Sequence, residues 1–353
     1  MQEQIASDIA GKLRSKLSGD QKQQVSKQGT QSPEAYQLYV KGRYYWNKRT
    51  LSDLRTAISY FNQAIDKDPG YALAYSGLAD AYTVISSYGE DPNDVMPKSR
   101  AAAEKAEELD PTLSRPHATL GLYKEFYSWD FPVAEAEFRK ALELDPSDAT
   151  AHQWFSQYLS QIGGRAQESI EEGNRAHELD PLSPTIGFAQ ADSYMFARRF
   201  DRANELYAKV IADNPTYGEV HVELAYSDWF QHKYPQAIQE FAAAARLLSD
   251  KNMADFATAL EAGFRSGGWP GALRKSIEVS LAQRKAKNAY VSPYSIAQLY
   301  ADLADKNHAF EWLDTASQEH DGTLRQLRVD PLFDSLRSDL RYAALVHKIG
   351  FPQ

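Results

Sequence analysis

Apolar residues recur along this chain at the spacing of one face of a helix, and the runs stop at regular points. In residues 184–215, Tyr194 falls on a first run and Ala203, Tyr207 and Val210 on a second. Steps of three and four residues place side chains on one stripe of an α-helix. Between the runs Arg198-Arg199-Phe200-Asp201 makes a turn, and Pro215 ends the second run. The small Ala203 lets the two helices approach, while Tyr194 and Tyr207 fill the space beside it. The same stop recurs at Pro69, Pro111, Pro146, Pro181 and Pro215, at intervals of 42, 35, 35 and 34 residues, each time after Asp or, at Asn214, Asn. Proline cannot extend a helix and drives the residue before it out of the α region. A stop about every 34 residues therefore predicts one two-helix unit repeated many times.

The remaining stretches divide around that array. Ile5, Ile9, Leu13 and Leu17 predict an amphipathic helix over residues 2–18, and the Gln-, Ser-, Lys- and Gly-rich stretch after it reads as a linker. Residues 1–31 are thus an N-terminal helix and linker, and 32–249 hold units one to six. Residues 250–289 are a divergent helical unit around Gly267-Gly268-Trp269-Pro270-Gly271, and 290–321 are the last unit. Residues 322–353 form capping helices expected to cover the final repeat, because each unit of an array leaves an apolar face for its neighbour. Extra residues around Arg49–Asp53 lengthen the turn of the first unit, and Tyr88-Gly89-Glu90-Asp91-Pro92-Asn93 inserts into that of the second.

This pattern resembles the tetratricopeptide repeat. The first unit supplies Gly42, Tyr45, Ala57, Phe61, Ala64 and Pro69, the third Leu120, Gly121, Ala134, Phe138, Ala141 and Pro146, and the sixth Leu224, Ala225, Ala237, Phe241 and Ala244. The resemblance implies an all-α, right-handed solenoid of about eight helix pairs. It also implies a protein-binding scaffold, because this family commonly holds peptides in the groove lined by its first helices. The stretches Gln4–Ala10, Ser32–Tyr36, Gly42–Asn47 and Val329–Arg337 are further similar to the repeat regions of bacterial signalling proteins that carry winged-helix, cyclase or Ser/Thr kinase domains. None of those effector domains is in this sequence, which lacks a glycine-rich phosphate loop with a following Lys and a kinase catalytic loop.

Composition narrows the function classes. The net charge of -9 argues against a nucleic-acid surface, which needs clustered Lys and Arg. The absence of cysteine removes disulfides, thiolate nucleophiles and thiolate metal sites. No apolar run reaches the roughly 18–20 residues of a membrane helix, and the N-terminus lacks the pattern of a secretory signal. The expectation is a cytoplasmic chain, or an extracytoplasmic one within a membrane-anchored parent.

On this register the groove presents Tyr36, Tyr39, Arg43 and Trp46 from the first unit, Arg115 and Phe126 from the third, Phe188 and Phe196 from the fifth, and Tyr226, Trp229 and Phe230 from the sixth. Aromatic residues and Arg are the side chains that most often anchor interfaces. Family members that clamp a chaperone's C-terminal carboxylate use Lys and Asn where this chain has Tyr39, Arg43, Ser76 and Asp80, so that clamp is not built. Arg43 and Arg115 instead suit an acidic peptide. His117, His152 and His221 share one place on their first helices, about a helix pair apart, and read as fillers of an aromatic slot rather than metal ligands. The acidic turn Glu90–Asp94 lacks the glycine and distal Glu of a calcium loop. No order of Ser, His and acids assembles a catalytic triad, so no catalytic, cofactor or metal residues are expected. A protein or peptide partner is the first expectation. Self-association, or a small-molecule signal relayed to an attached domain, are the alternatives.

Overall fold

The residues before the stop prolines Pro69, Pro111, Pro181 and Pro215 lie outside the α region, as the following proline favours. Asp68 (φ -150°, ψ 93°), Asp110 (φ -147°, ψ 94°) and Asn214 (φ -137°, ψ 72°) each end a helix this way, with the backbone N–H bonded to the carbonyl four residues back. The Asp68 and Asp110 carboxylates then accept from the backbone N–H of Gly70 and Thr112 (both 3.0 Å) and so fold the turn into the next unit.

The computed structural model describes residues 29–88, 90–162, 164–286 and 290–352. The expected helix over 2–18 and most of the following linker lie outside these residues. The described residues form an all-α solenoid of eight helix pairs: α1 Pro33–Asn47 with α2 Leu51–Lys67, α3 Ala72–Ile85 with α4 Pro92–Leu109, α5 Ser114–Tyr123 with α6 Phe131–Leu144, and α7 Ala149–Gln161 with α8 Ala166–Leu179. There follow α9 Pro184–Phe196 with α10 Phe200–Asp213, α11 Glu219–Phe230 with α12 Tyr234–Leu248, the broken α13 Lys251–Ala286, and α14 Pro293–Asp302 with α15 Lys306–Gln318. Two 3₁₀ turns, Gly322–Gln326 and Pro331–Leu336, and α16 Leu340–Ile349 complete the chain. No strand occurs among the described residues.

The turn of the first unit is shorter than its sequence suggests. Thr50 accepts from the Asp53 N–H and caps α2, so Asp53 is already helical and only residues 48–50 join the pair. The turns between paired helices share a left-handed residue: Arg49, Trp129, Arg198, His232 and Ala304 all have φ between 53° and 61°, and Gly164 (φ 60°) takes the place in the fourth pair. The divergent stretch proves to be a helix pair too. α13 breaks at Gly267 and Gly268 (φ 62°), and its halves approach so closely that a Cβ on Gly263 would lie 2.3 Å from the Gly271 carbonyl oxygen.

The chain divides into two compact units. One comprises the described residues up to Ser128 together with Val133–Pro146; the other comprises Trp129–Pro132 and the residues from Ser147 onward. In the first, the fully buried Phe61 of α2 wedges between Gly42 of α1 and Gly77 of α3, and a Cβ on either glycine would sit 2.5 Å from its ring. In the second, Tyr207 and Phe241 fill the same role beside Ala191 and Ala225.

Gly77→Ala is expected to destabilise the fold by about 1–3 kcal/mol by overpacking this wedge, measured by urea denaturation. Ala304→Gly, which relieves a left-handed alanine, is expected to stabilise it by about 0.5–1 kcal/mol; no gain would mean that Ala304 is not held at positive φ.

Candidate functional site

The first-helix face of the first unit gathers three helices around one carboxylate. Asp80 of α3 is fully buried, and Arg43 of α1 donates from its terminal nitrogen to Asp80 Oδ2 at 2.9 Å. Arg115 of α5 reaches the same oxygen at 3.5 Å, and Thr119 donates to Oδ1 at 2.8 Å. Two guanidiniums from different repeats thus meet at one carboxylate, and their side chains remain 25% and 20% exposed. Arg43 also lies over the Trp46 ring at 4.2 Å, and Arg49 over the same ring at 3.6 Å. Tyr39 packs against Phe61 and Tyr71, with ring centroids 5.9 and 5.4 Å apart. Burial raises its hydroxyl pKa, against the pull of Arg43 and Arg115.

Of the expected groove residues in this unit, Arg43 and Arg115 converge, Tyr36 and Tyr39 flank them half-buried, and Phe126 stands half-buried on the π-helical turn Lys124–Ser128. Trp46 is a correction: at 3% exposure it is packed away beneath the two guanidiniums and presents no surface for a partner. Its indole N–H has no hydrogen-bond acceptor among the described residues. Asp80 and Thr119 were not among the expected site residues. The signal available for them was their place on first helices, in the turns that face Arg43 and Arg115.

The corresponding face of the second unit is covered by the chain itself. The segment after α15 does more than cap the last pair. Arg325 donates to Gln161 at the end of α7 (2.6 Å), and Arg198 after α9 forms a two-pronged pair with Asp334 (2.6 and 2.6 Å). Phe351 stacks on Phe131 with centroids 5.5 Å apart. Leu324, Leu327, Phe333 and Leu336 are fully buried. The capping expectation is corrected accordingly: the segment reaches Phe131, Gln161 and Arg198 rather than stopping at the last repeat.

Trp229 is likewise corrected from groove to core. It is 2% exposed, meets Trp269 edge-on at 5.1 Å, and shares one acceptor with it: both indoles donate to Asp302 Oδ2, at 2.8 and 2.6 Å. This knot ties α11, α13 and α14 together, and Trp269 was the one recognisable anchor in the divergent stretch. Phe188 packs between repeats against Tyr207 and Tyr217 (6.2 and 5.9 Å). Phe196, Tyr226 and Phe230 do come together, lining a cavity with Glu223 and Asp330. Burial pushes the Glu223 carboxyl up to about 7, with Arg325 opposing and Asp330 adding to the rise. Burial also raises Asp330, although Tyr294, Gln298 and the Leu332 N–H all donate to it.

The three histidines each meet a glutamate on the second helix of their own pair: His117 with Glu137 at 2.8 Å, His152 with Glu172, and His221 with Glu240 at 2.5 Å. They clasp helix pairs. No group of three or more His, Asp or Glu able to hold a metal exists among the described residues. In the acidic turn Asp91 caps α4 and Glu90 pairs with Arg55.

With this geometry in place, comparison with known proteins is informative. Residues 188–251 match the tetratricopeptide repeat family. No curated protein sequence matches it. Among solved structures, a human IFIT1 dimer with PPP-AAAA is 15% identical, with a TM-score of 0.51 over 77% of this chain and 69% of that one. Pseudomonas aeruginosa pilF is 18% identical, with a TM-score of 0.42 over 74% and 96%. YrrB, described as a tetratricopeptide repeat protein with an unusual peptide-binding site, is 18% identical, with a TM-score of 0.37 over 55% and 95%. At 15% identity the likeness to the IFIT1 structure speaks for the fold alone. Tetratricopeptide repeat proteins generally act as interaction scaffolds, and no described helix here is long and apolar enough to cross a membrane.

Two outcomes follow for this site. Trp229→Ala is expected to cost about 3–5 kcal/mol of stability as a core truncation, so it probes folding and not capture; a cost near zero would return Trp229 to the surface. Glu223 carries a folded pKa raised from 4.5 to about 7. Its favourable contribution is therefore fully present below about pH 4.5 and lost as pH rises through about 7. Glu223→Gln should match the wild type near pH 4.5 and exceed it by on the order of 2–3 kcal/mol at pH 8. Urea midpoints at the two pH values decide this, and an equal offset at both would refute it.

Proposed function

We propose that this chain is a protein-binding scaffold that holds an acidic peptide segment on the first-helix face of its first three helix pairs. The observation that carries this reading is the Arg43–Asp80–Arg115 arrangement: one buried carboxylate between two guanidiniums drawn from different repeats. Asp80 holds both side chains in place, so an incoming carboxylate meets guanidinium N–H groups already set in position rather than two mobile arginines. Preorganisation of this kind reduces the entropic cost of binding, and guanidinium offers paired N–H donors matched to a carboxylate. Half-buried Tyr36 and Tyr39 supply apolar contact beside it.

The second unit supports the same division of labour, because its own C-terminal segment already lies on its first-helix face. The likeness of both ends of the chain to repeat regions of bacterial signalling proteins supports reading it as the interaction part of such a regulator. No catalytic role is proposed.

The test is fluorescence anisotropy with a labelled Asp/Glu-rich octapeptide and its Asn/Gln counterpart. Wild type should bind the acidic peptide preferentially at 50 mM salt and more weakly at 300 mM, where screening shortens the reach of the charges. Arg43→Ala with Arg115→Ala should weaken binding at least tenfold. Asp80→Asn, which removes the competing carboxylate, should tighten it, with helicity checked for each variant. Equal binding of the two peptides, or no loss in the double variant, would sink the proposal.

A further inference from the structure

The second unit encloses a cavity of about 80 Å³ between α9, α11, α14 and the C-terminal segment. Its lining includes Phe196, Tyr226, Phe230, Glu223, Gln298, Gln326 and Asp330. The charges around it do not balance locally. Asp330 accepts from Tyr294 (2.8 Å), Gln298 (2.7 Å) and the Leu332 N–H (2.9 Å), and Asp192 accepts from the Tyr207 hydroxyl at 2.6 Å. Glu223 has no such partner: among the described residues no hydrogen bond or ion pair reaches its carboxyl group. The nearby cations are occupied elsewhere. Arg325 donates to Gln161 (2.6 Å) and the Gly322 carbonyl (2.9 Å), and Arg337 to Asp334 (2.8 Å) and the Arg328 carbonyl (2.5 Å).

A half-buried carboxyl at a cavity wall without a partner calls for an explanation, and ring faces beside it are the surroundings in which organic cations are held. We propose that this cavity is a binding site for a small alkylammonium ion, whose N–H donors engage Glu223 and the side-chain oxygens of Gln298 and Gln326, and whose alkyl part lies against Phe196, Tyr226 and Phe230. A volume of about 80 Å³ fits a short amine and excludes a folded peptide. Because the cavity is walled by both the repeats and the C-terminal segment, the bound ion joins the two and stabilises the unit.

The site depends on pH in a defined direction. Burial holds the Glu223 carboxyl protonated up to about pH 7; Asp192 and Asp330 face it as further acids and Arg325 as the opposing cation. An ammonium ion requires the ionised form, so binding strengthens as pH rises through 7 and releases a proton below it. This reading is independent of the acidic-peptide face, which lies in the first unit and involves none of these residues.

Thermal denaturation with n-butylammonium chloride tests it, against equal sodium chloride and equal n-butanol. For the full chain, the ammonium should raise Tm by about 2 °C or more at pH 8 and by less at pH 6. Glu223→Gln should remain folded and lose the response, and Phe230→Leu should weaken it. An equal rise in Glu223→Gln, an equal rise with n-butanol, or no rise at pH 8 would overturn the proposal, leaving Glu223 as an acid kept neutral by burial.

Discussion

The solenoid depends on how closely paired helices approach, and one position on the second helix sets that distance. Eight residues before the helix stop stand Phe61, Phe138, Tyr207 and Phe241. Each ring enters the space beside a first-helix residue with little or no side chain: Gly42 and Gly77 for Phe61, Gly121 for Phe138, Ala191 for Tyr207 and Ala225 for Phe241. Where the position is small, at Ala103 and Gly173, the pair is held by serines instead. Ser99 donates to the Ala79 carbonyl (2.9 Å), while Ser156 and Ser169 exchange hydrogen bonds with each other's carbonyls (2.8 and 2.9 Å). A ring against glycine and a serine bridge are two solutions to the same steric requirement. Interiors packed at crystal-like density leave no third option of an unfilled gap.

Covering the first-helix faces is the second requirement, and it is met differently in the two units. In the second, aliphatic residues and Phe333 of the C-terminal segment are buried, and polar anchors at Gln161, Arg198 and Gln298 fix its course. That cover buries acids, and the raised carboxyl groups of Asp192, Glu223 and Asp330 are its electrostatic cost. In the first, the buried Asp80 carboxylate on that face is shared by two partly exposed arginines.

The repeat architecture was legible because it rests on local rules: proline stops, extended residues before them, and apolar stripes with a fixed period. Residues 250–289 read only as a divergent helical unit, without a register, because the close approach there is made by Gly263 and Gly271, which carry no apolar signal. The site was only partly legible. Arg43 and Arg115 could be paired from register alone, yet Trp46 and Trp229 were taken for surface anchors, since an aromatic on a first helix reads the same whether it faces a groove or a neighbour. What decides is a contact distant in sequence, such as Asp302 receiving both Trp229 and Trp269, and no local pattern announces it. The C-terminal segment's course was hidden for the same reason: Arg198 and Asp334 are 136 residues apart.

One register position shows how much is left to neighbours. Asp80, Asp192 and Tyr226 each stand eleven residues after a stop proline, at Pro69, Pro181 and Pro215. Asp80 is bound by side chains from two other first helices, and Asp192 by Tyr207 from its own second helix. Tyr226 instead stacks on Trp229 with nearly parallel rings. The backbone delivers all three to comparable places, but whether the place becomes an arginine-flanked carboxylate, a buried acid or an aromatic wall depends on the residues one repeat away. In a solenoid each unit contacts mainly its neighbours, so chemistry can change from pair to pair without disturbing the packing that carries it. Here that independence allows an arginine-flanked carboxylate and an acid-lined cavity to be built on the same repeated helix pair.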